Sequence, residues 1–129
     1  MYMVVMERFN SAVSQATSFS LSIFPAAPQI IAGPSNSDLG PGDRVFLNCE
    51  VAGIPRPQIV WYKTDVQGRR SELPIVGDTF TVHTQSLELH DVARDDTGMY
   101  ECQAGNVLGA SSQRATVRVE GESITWSTN

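Results

Sequence analysis

Cys49 and Cys102 are the two cysteines of the chain, and the reaction open to such a pair is oxidation to a single disulfide. They lie 53 positions apart and no CxxC occurs, so a four-ligand zinc site of the usual spacing cannot be built from them. His83 and His90 would have to complete any metal site, and their separations from the cysteines match no ligand pattern. They read as surface residues, and neither a metal nor a cofactor is expected. His90 and Asp91 adjoin as a base and an orienting carboxylate would, but consecutive strand residues point to opposite faces. Ser86, Ser111 and Ser112 read as turn or strand serines. With no nucleophile, base and orienting group converging, the chain is not expected to be an enzyme. Glu88, Asp91, Asp95 and Asp96 offer oxygen ligands of the kind calcium takes, yet they straddle a strand and a turn without the spaced loop and glycine of such a site. Lys63, Arg69 and Arg70 form the one local basic cluster, gathered at a predicted hairpin. They could hold heparan sulfate or an acidic protein; solvated loop charge is the plainer reading.

The elements that must position these residues are constrained first by size. A chain of 129 residues with 41% hydrophobic and 18% charged residues accommodates one globular domain with slack at its ends. Nine Lys+Arg against fourteen Asp+Glu, a net charge of -5, disfavour nucleic acid and anionic membrane as partners. No apolar run reaches the roughly 18 to 20 residues that span a bilayer, so no direct membrane contact is expected within this stretch. Met1 to Met6 is too short for a secretory signal core, and Glu7 and Arg8 follow it rather than precede it. No Asn-x-Ser/Thr acceptor occurs, so glycosylation gives no independent sign of secretion.

Between Pro28 and Glu120 the pattern is of short alternating runs broken by turn residues. Val45, Leu47, Cys49 and Val51 share one face; Ile59 and Trp61 do the same on the next run, followed by Phe80 and Val82, then Leu87 and Leu89. Tyr100, Cys102 and Ala104 line another face, and Ala115, Val117 and Val119 the last. Pro41-Gly42, Gly53 to Pro57, Gly68, Gly77-Asp78 and Gly109 punctuate them. Helix is limited to a turn near Val92 to Asp96. The fold class is all-β. Both cysteines face inward, and Trp61 follows the first by 12 positions, so a bridge between facing sheets with an indole packed beside it is expected. Tyr100, two residues before Cys102, can bury its ring and bond its hydroxyl to backbone at the preceding corner.

The runs Gly53-Ile54-Pro55-Arg56-Pro57 ahead of Trp61, Asp96-Thr97-Gly98-Met99-Tyr100-Glu101-Cys102, and Gln103-Ala104-Gly105-Asn106-Val107-Leu108-Gly109 together resemble an immunoglobulin domain of the I-set. The resemblance covers 28–120. It implies an immunoglobulin-like β-sandwich of two antiparallel sheets with Greek-key connections and one inter-sheet disulfide, Cys49 to Cys102, around Trp61, Tyr100 and Leu89. It further implies that Asp96 holds the turn before Tyr100 and that Asn106 to Gly109 form a hairpin. The prolines of Gly53 to Pro57 then set a loop rather than present a ligand.

The ends carry a further signal. Asn10 precedes Phe19, Leu21 and Ile23 by 9, 11 and 13 residues, and Asn106 precedes Ala115, Val117 and Val119 by the same steps. Residues 1–27 are therefore expected to hold the last strand of a preceding copy plus a linker, and 121–129 a C-terminal linker. The function implied is protein binding and spacing within a tandem array of a cell-surface adhesion or guidance receptor of the roundabout or DCC/neogenin style, on the extracellular face. Its partners would be a protein ligand or neighbouring immunoglobulin or fibronectin-type modules, or another copy of itself. Met99 and Ile54 are the contact residues nominated. The alternatives are a structural extracellular-matrix array resembling hemicentin or peroxidasin, and a cytosolic sarcomeric array of the titin type.

Overall fold

Alternating runs can be satisfied only if each strand turns one side to a shared dry interior. A computed structural model, which describes residues 24–121, meets this with short strands and a single 3₁₀ turn. In chain order they are β1 (Ala26–Ala32), β2 (Ser37–Leu39), β3 (Val45–Asn48), β4 (Glu50–Ile54), β5 (Gln58–Thr64), β6 (Arg70–Glu72), β7 (Phe80–Val82), β8 (Ser86–Leu89), the turn Arg94–Asp96, β9 (Gly98–Asn106) and β10 (Gly109–Val119). One layer is a five-stranded sheet in the order β2-β10-β9-β5-β6. The facing layer joins β3-β8-β7 to the pair β1-β4, since β3 and β4 are one path interrupted at Cys49, whose N–H donates to the Gln85 carbonyl at 2.8 Å.

The inward positions of the two layers meet in one core. Leu47, Cys49, Leu87 and Leu89 come from one layer, and Trp61, Tyr100, Cys102, Val117 and Val119 from the other, each no more than 3% exposed. The faces expected from alternation are the faces buried, and the turn expected near Val92 to Asp96 is the 3₁₀ turn Arg94–Asp96.

The first strand departs from the expected simplicity. It starts in the layer with β4, crosses at 33–36, and continues as β2 against β10 without reversing, so β2 pairs parallel (Val117 with Ser37, Val119 with Leu39) in sheets otherwise antiparallel. The crossing lies flat on β10. A Cβ at Gly33 would sit 2.2 Å from the Gln113 side chain, while the Gln113 amide reaches the Pro34 carbonyl and the Thr116 N–H donates to Asn36. Neither strand has a clean alternation to announce it. Two expected boundaries also move: β1 begins at Ala26, inside the segment assigned to the linker, and Gly53 and Ile54 close β4, with Ile54 opposite Ala26 of β1, rather than opening a loop. The strand expected within residues 10–24 and the linker expected at 121–129 lie, apart from Phe24 and Gly121, outside the described residues.

Candidate functional site

The strongest constellation is structural. Cys49 and Cys102 form the inter-sheet disulfide with their Cα atoms 6.4 Å apart. Trp61 stands directly opposite Cys102 in the pairing of β5 with β9, so the indole packs beside the bridge as its spacing implied. The indole Nε1 is buried with no acceptor among the described residues. Tyr100 lies one alternation earlier on β9. Its hydroxyl donates to the Asp96 carbonyl, and the Asp96 carboxylate accepts the Ala93 N–H and the Thr79 hydroxyl, each at 2.8 Å. Asp96 thus ties the turn, β9 and the loop before β7 at the C-terminal pole. Burial, and after it the negative charge of Asp96, pushes the Tyr100 phenol well above the usual tyrosine range.

That shift has a definite sign. The unfolded phenol ionises near pH 10 while the folded one stays neutral, so the stabilisation is full below about pH 10 and is lost as pH rises beyond it. Tyr100→Phe is expected to cost about 1 kcal/mol near neutrality and to flatten the alkaline decline. Urea midpoints of both proteins from pH 7 to 11 check this; parallel declines would reject it.

The basic cluster does not form one surface. Lys63 points to the core side of β5, where its ammonium lies 5.8 Å from the Tyr100 ring centroid and donates to the Asp95 carbonyl at 2.8 Å. Arg70 is on the opposite face, stacked 3.7 Å from the Tyr62 ring centroid and paired with Glu101 at 3.2 Å. Arg69 pairs with Asp65 at 3.6 Å and bonds Gln67. The hairpin that brings them together in sequence alternates them between faces. Heparin-column retention of an Arg69→Glu/Arg70→Glu variant is therefore expected to match that of the parent; a clear shift to lower salt would restore the basic-site reading.

The carboxylates suggested for calcium also go separate ways. Glu88 holds Arg44 at 3.3 Å and His83 at 2.9 Å on the outer face of β8, and the His83 hydrogen bond first, then the Arg44 charge, keeps its carboxyl below the usual range. Asp96 is engaged in its turn, and Asp91 is 88% exposed at its side chain. No group of three metal-ligating side chains converges among the described residues. His90 and Asp91 do not point apart: β8 ends at Leu89, and Asp91 takes a φ of 48°, which brings its carboxylate to 3.9 Å from His90 Nδ1. Ser111, meanwhile, spends its hydroxyl on the Pro28 carbonyl.

At the N-terminal pole Asn106 was expected only to open a hairpin. Its amide Nδ2 also donates to the Ala26 and Pro55 carbonyls at 2.9 and 3.0 Å, and its Oδ1 accepts the Leu108 N–H. Pro57 is buried against Gly53, where a Cβ would lie 2.7 Å from its ring, and the Ile54-Pro55 bond is cis, so these prolines shape the β4–β5 connection. Of the nominated contact residues, Ile54 is 36% exposed, and Met99 is half-buried between Thr64 and Thr116. Larger exposed apolar side chains that alternation could not single out are Ile75, Val76, Val107 and Leu108.

A family model, the immunoglobulin I-set domain, matches residues 28–119. The chain belongs to the immunoglobulin I-set family. Its I-set domain is similar to mouse palladin, 37% identical over 106 residues that cover 78% of this chain and 7% of palladin. It is also similar to the mouse neural cell adhesion molecule L1-like protein, 38% identical over 79 residues, 61% of this chain and 6% of that protein. A third relative is fruit-fly (Drosophila melanogaster) peroxidasin, 34% identical over 98 residues, 74% of this chain and 6% of peroxidasin. The chain thus spans 6% to 7% of these relatives. The crystal structure of the titin M3 domain superposes with a TM-score of 0.63 at 28% identity, covering 74% of this chain and 99% of that domain. This is an I-set module of the kind found in multi-immunoglobulin proteins, a fold that generally carries no catalysis.

Proposed function

We propose that this I-set domain is a protein-binding module of a cell-surface adhesion or guidance receptor, displayed on the extracellular face and acting by protein–protein recognition and by spacing neighbouring modules in a tandem array. The observation that carries this reading is the closed Cys49–Cys102 bridge at the centre of the core, since disulfides persist in oxidising compartments and are rare in the cytosol. Similarity to the neural cell adhesion molecule L1-like protein supports it. So does the path of the chain, which comes in at Ala26 beside Asn106 and leaves at Val119 beside Leu39 and Thr97, at opposite poles. Modules built this way join end to end.

Blocking thiols in the protein taken from its own cells, under denaturing conditions without reductant, is expected to modify neither cysteine. Full modification of both would overturn the receptor reading. A sarcomeric array of the titin type is the second reading, favoured by the likeness to titin M3, and that second result would select it. A matrix array, favoured by the similarity to peroxidasin, shares the oxidised state and is distinguished by finding the intact parent protein in the insoluble matrix rather than in the membrane fraction.

A further inference from the structure

Most of the outer strands are poor templates for a further strand. β6 carries Arg70 and Glu72, and β2 is three residues long with Asp38 at its centre, and charge and shortness are how sheet edges are protected. The chain beside β7 is also short, a single bridge lying between Pro74 and Asp78 in sequence, but Ile75–Gly77 itself carries no charged side chain. Val76 faces Thr81 as a bridge in which the Val82 N–H donates to the Ile75 carbonyl at 2.8 Å and the Gly77 N–H to the Phe80 carbonyl at 2.9 Å. In that pattern the N–H and C=O of Val76 itself point away from β7, and no described residue hydrogen-bonds to them. Ile75 and Val76 are 72% and 63% exposed. Gly77 keeps the edge close to the sheet, because a Cβ there would lie 2.1 Å from the Phe80 ring.

A cleft of about 470 Å³ opens beside this edge, at the side of the sandwich where the two layers part. Val51, Ile59, Ile75 and Val82 give it an apolar lining, and Arg56 and His83 stand in its wall. No carboxylate lines it, although the chain has fourteen Asp+Glu against nine Lys+Arg. Arg56, like Arg94 and Arg114, has no ion-pair partner among the described residues, whereas Arg44, Arg69, Arg70 and Arg118 each do. Ile75 belongs to both features, so edge and cleft form one continuous surface.

We propose that Ile75–Gly77 and this cleft form a docking site for one extended peptide segment of acidic and aliphatic character. The segment adds to the sheet outside Val76, whose N–H donates to a peptide carbonyl and whose carbonyl accepts a peptide N–H. Side chains two positions apart on the added strand share a face. On the face toward the cleft, one aliphatic side chain packs against Ile75 and Val82 and one carboxylate pairs with Arg56. The recognised pattern is thus an acidic and an aliphatic residue separated by one residue. This deepens the protein-recognition reading by naming a partner chemistry, yet it holds in any compartment, so a thiol assay that overturns the receptor assignment leaves it standing.

The test titrates the ¹⁵N-labelled 129-residue chain with acetyl-Thr-Glu-Thr-Val-Thr-amide, and with the same peptide carrying lysine in place of glutamate. The glutamate peptide is expected to shift the amide resonances of Arg56, Ile75, Val76, Gly77 and Val82 with a Kd on the order of 1 mM, and the lysine peptide to bind at least about tenfold more weakly. Arg56→Glu should weaken the glutamate peptide by at least about tenfold. Val76→Pro removes the outward N–H and spares the bonds to β7, so binding should vanish while the β7 and β8 resonances stay in place. If those resonances move, Ile75→Glu, which sets a carboxylate at the cleft, is the variant that must abolish binding. Equal affinity for the two peptides, or shifts confined to other surfaces, would overturn the proposal. Concentration-dependent changes at Ile75–Gly77 without peptide would overturn it in favour of a second copy as the occupant.

Discussion

Replacing Cys49 and Cys102 together by alanine lowers the unfolding free energy by about 4 kcal/mol and the thermal midpoint by roughly 15 to 30 °C. The size follows from connectivity. The bridge closes a loop of 53 residues, and without it the unfolded chain recovers the freedom that closure denied it, by about 4 kcal/mol in the chain-entropy account. Both sulfurs also lie in side chains that are wholly buried, so their loss leaves unfilled volume on the folded side as well. A small domain has about 5 to 15 kcal/mol in all, so the variant should sit near the edge of folding at body temperature. Guanidinium unfolding of both proteins, followed by tryptophan fluorescence, measures the difference. A loss below about 1 kcal/mol would mean that the unfolded chain is already restrained by something other than the bridge.

Trp61→Ala is expected to cost about 3 to 5 kcal/mol, and Trp61→Phe markedly less, about 1 to 2 kcal/mol. The indole is 1% exposed and faces Cys102 across β5 and β9, so truncation to a methyl group opens a cavity in the part of the core that both layers share. Phenylalanine restores most of that volume. It also removes the Nε1–H, which is buried without an acceptor among the described residues and whose lost hydration is therefore not returned by folding. Chemical-denaturation midpoints of the two variants separate these contributions. Equal costs would show that the N–H is satisfied after all and that the indole is retained for a bond rather than for its bulk. Because Trp61 and the bridge touch, combining Trp61→Ala with the cysteine changes should give less than the sum of the separate losses.

The sequence made the core legible because its signals are local or carried by large residues. Leu47, Leu87, Val117 and their partners announce themselves by alternation, and Cys49, Trp61, Tyr100 and Cys102 by type and order. The resemblance to the I-set added the sheet assignment, which alternation alone does not supply. What stayed hidden depends on contacts between segments far apart in the chain. The crossing from β1 to β2 leaves no periodic trace, since Pro28 and Pro34 interrupt the run and the strand divides its residues between two layers. Lys63 and Arg70 looked like neighbours, and only the pairing of Thr64 with Arg70 in register shows that they occupy opposite faces. Asp91 illustrates the same limit at one residue: a left-handed turn, which no strand pattern foretells, reverses the direction its carboxylate takes. The docking edge beside β7 was equally invisible, because Ile75 and Val76 fall between the alternating runs and nothing in their pattern marks the end of a sheet.

Opposite poles for the incoming and outgoing chain give the disulfide a second consequence, in length rather than in energy. If a tandem array is stretched until this module unravels, the ends at residues 28 and 119 would separate by roughly 310 Å at about 3.4 Å per residue. The 53-residue loop between Cys49 and Cys102 is short-circuited by the bridge, so only roughly 130 Å can be paid out. Reduction would therefore more than double the slack that one module yields, making the oxidation state a setting for how far the array can extend before its next member carries the load.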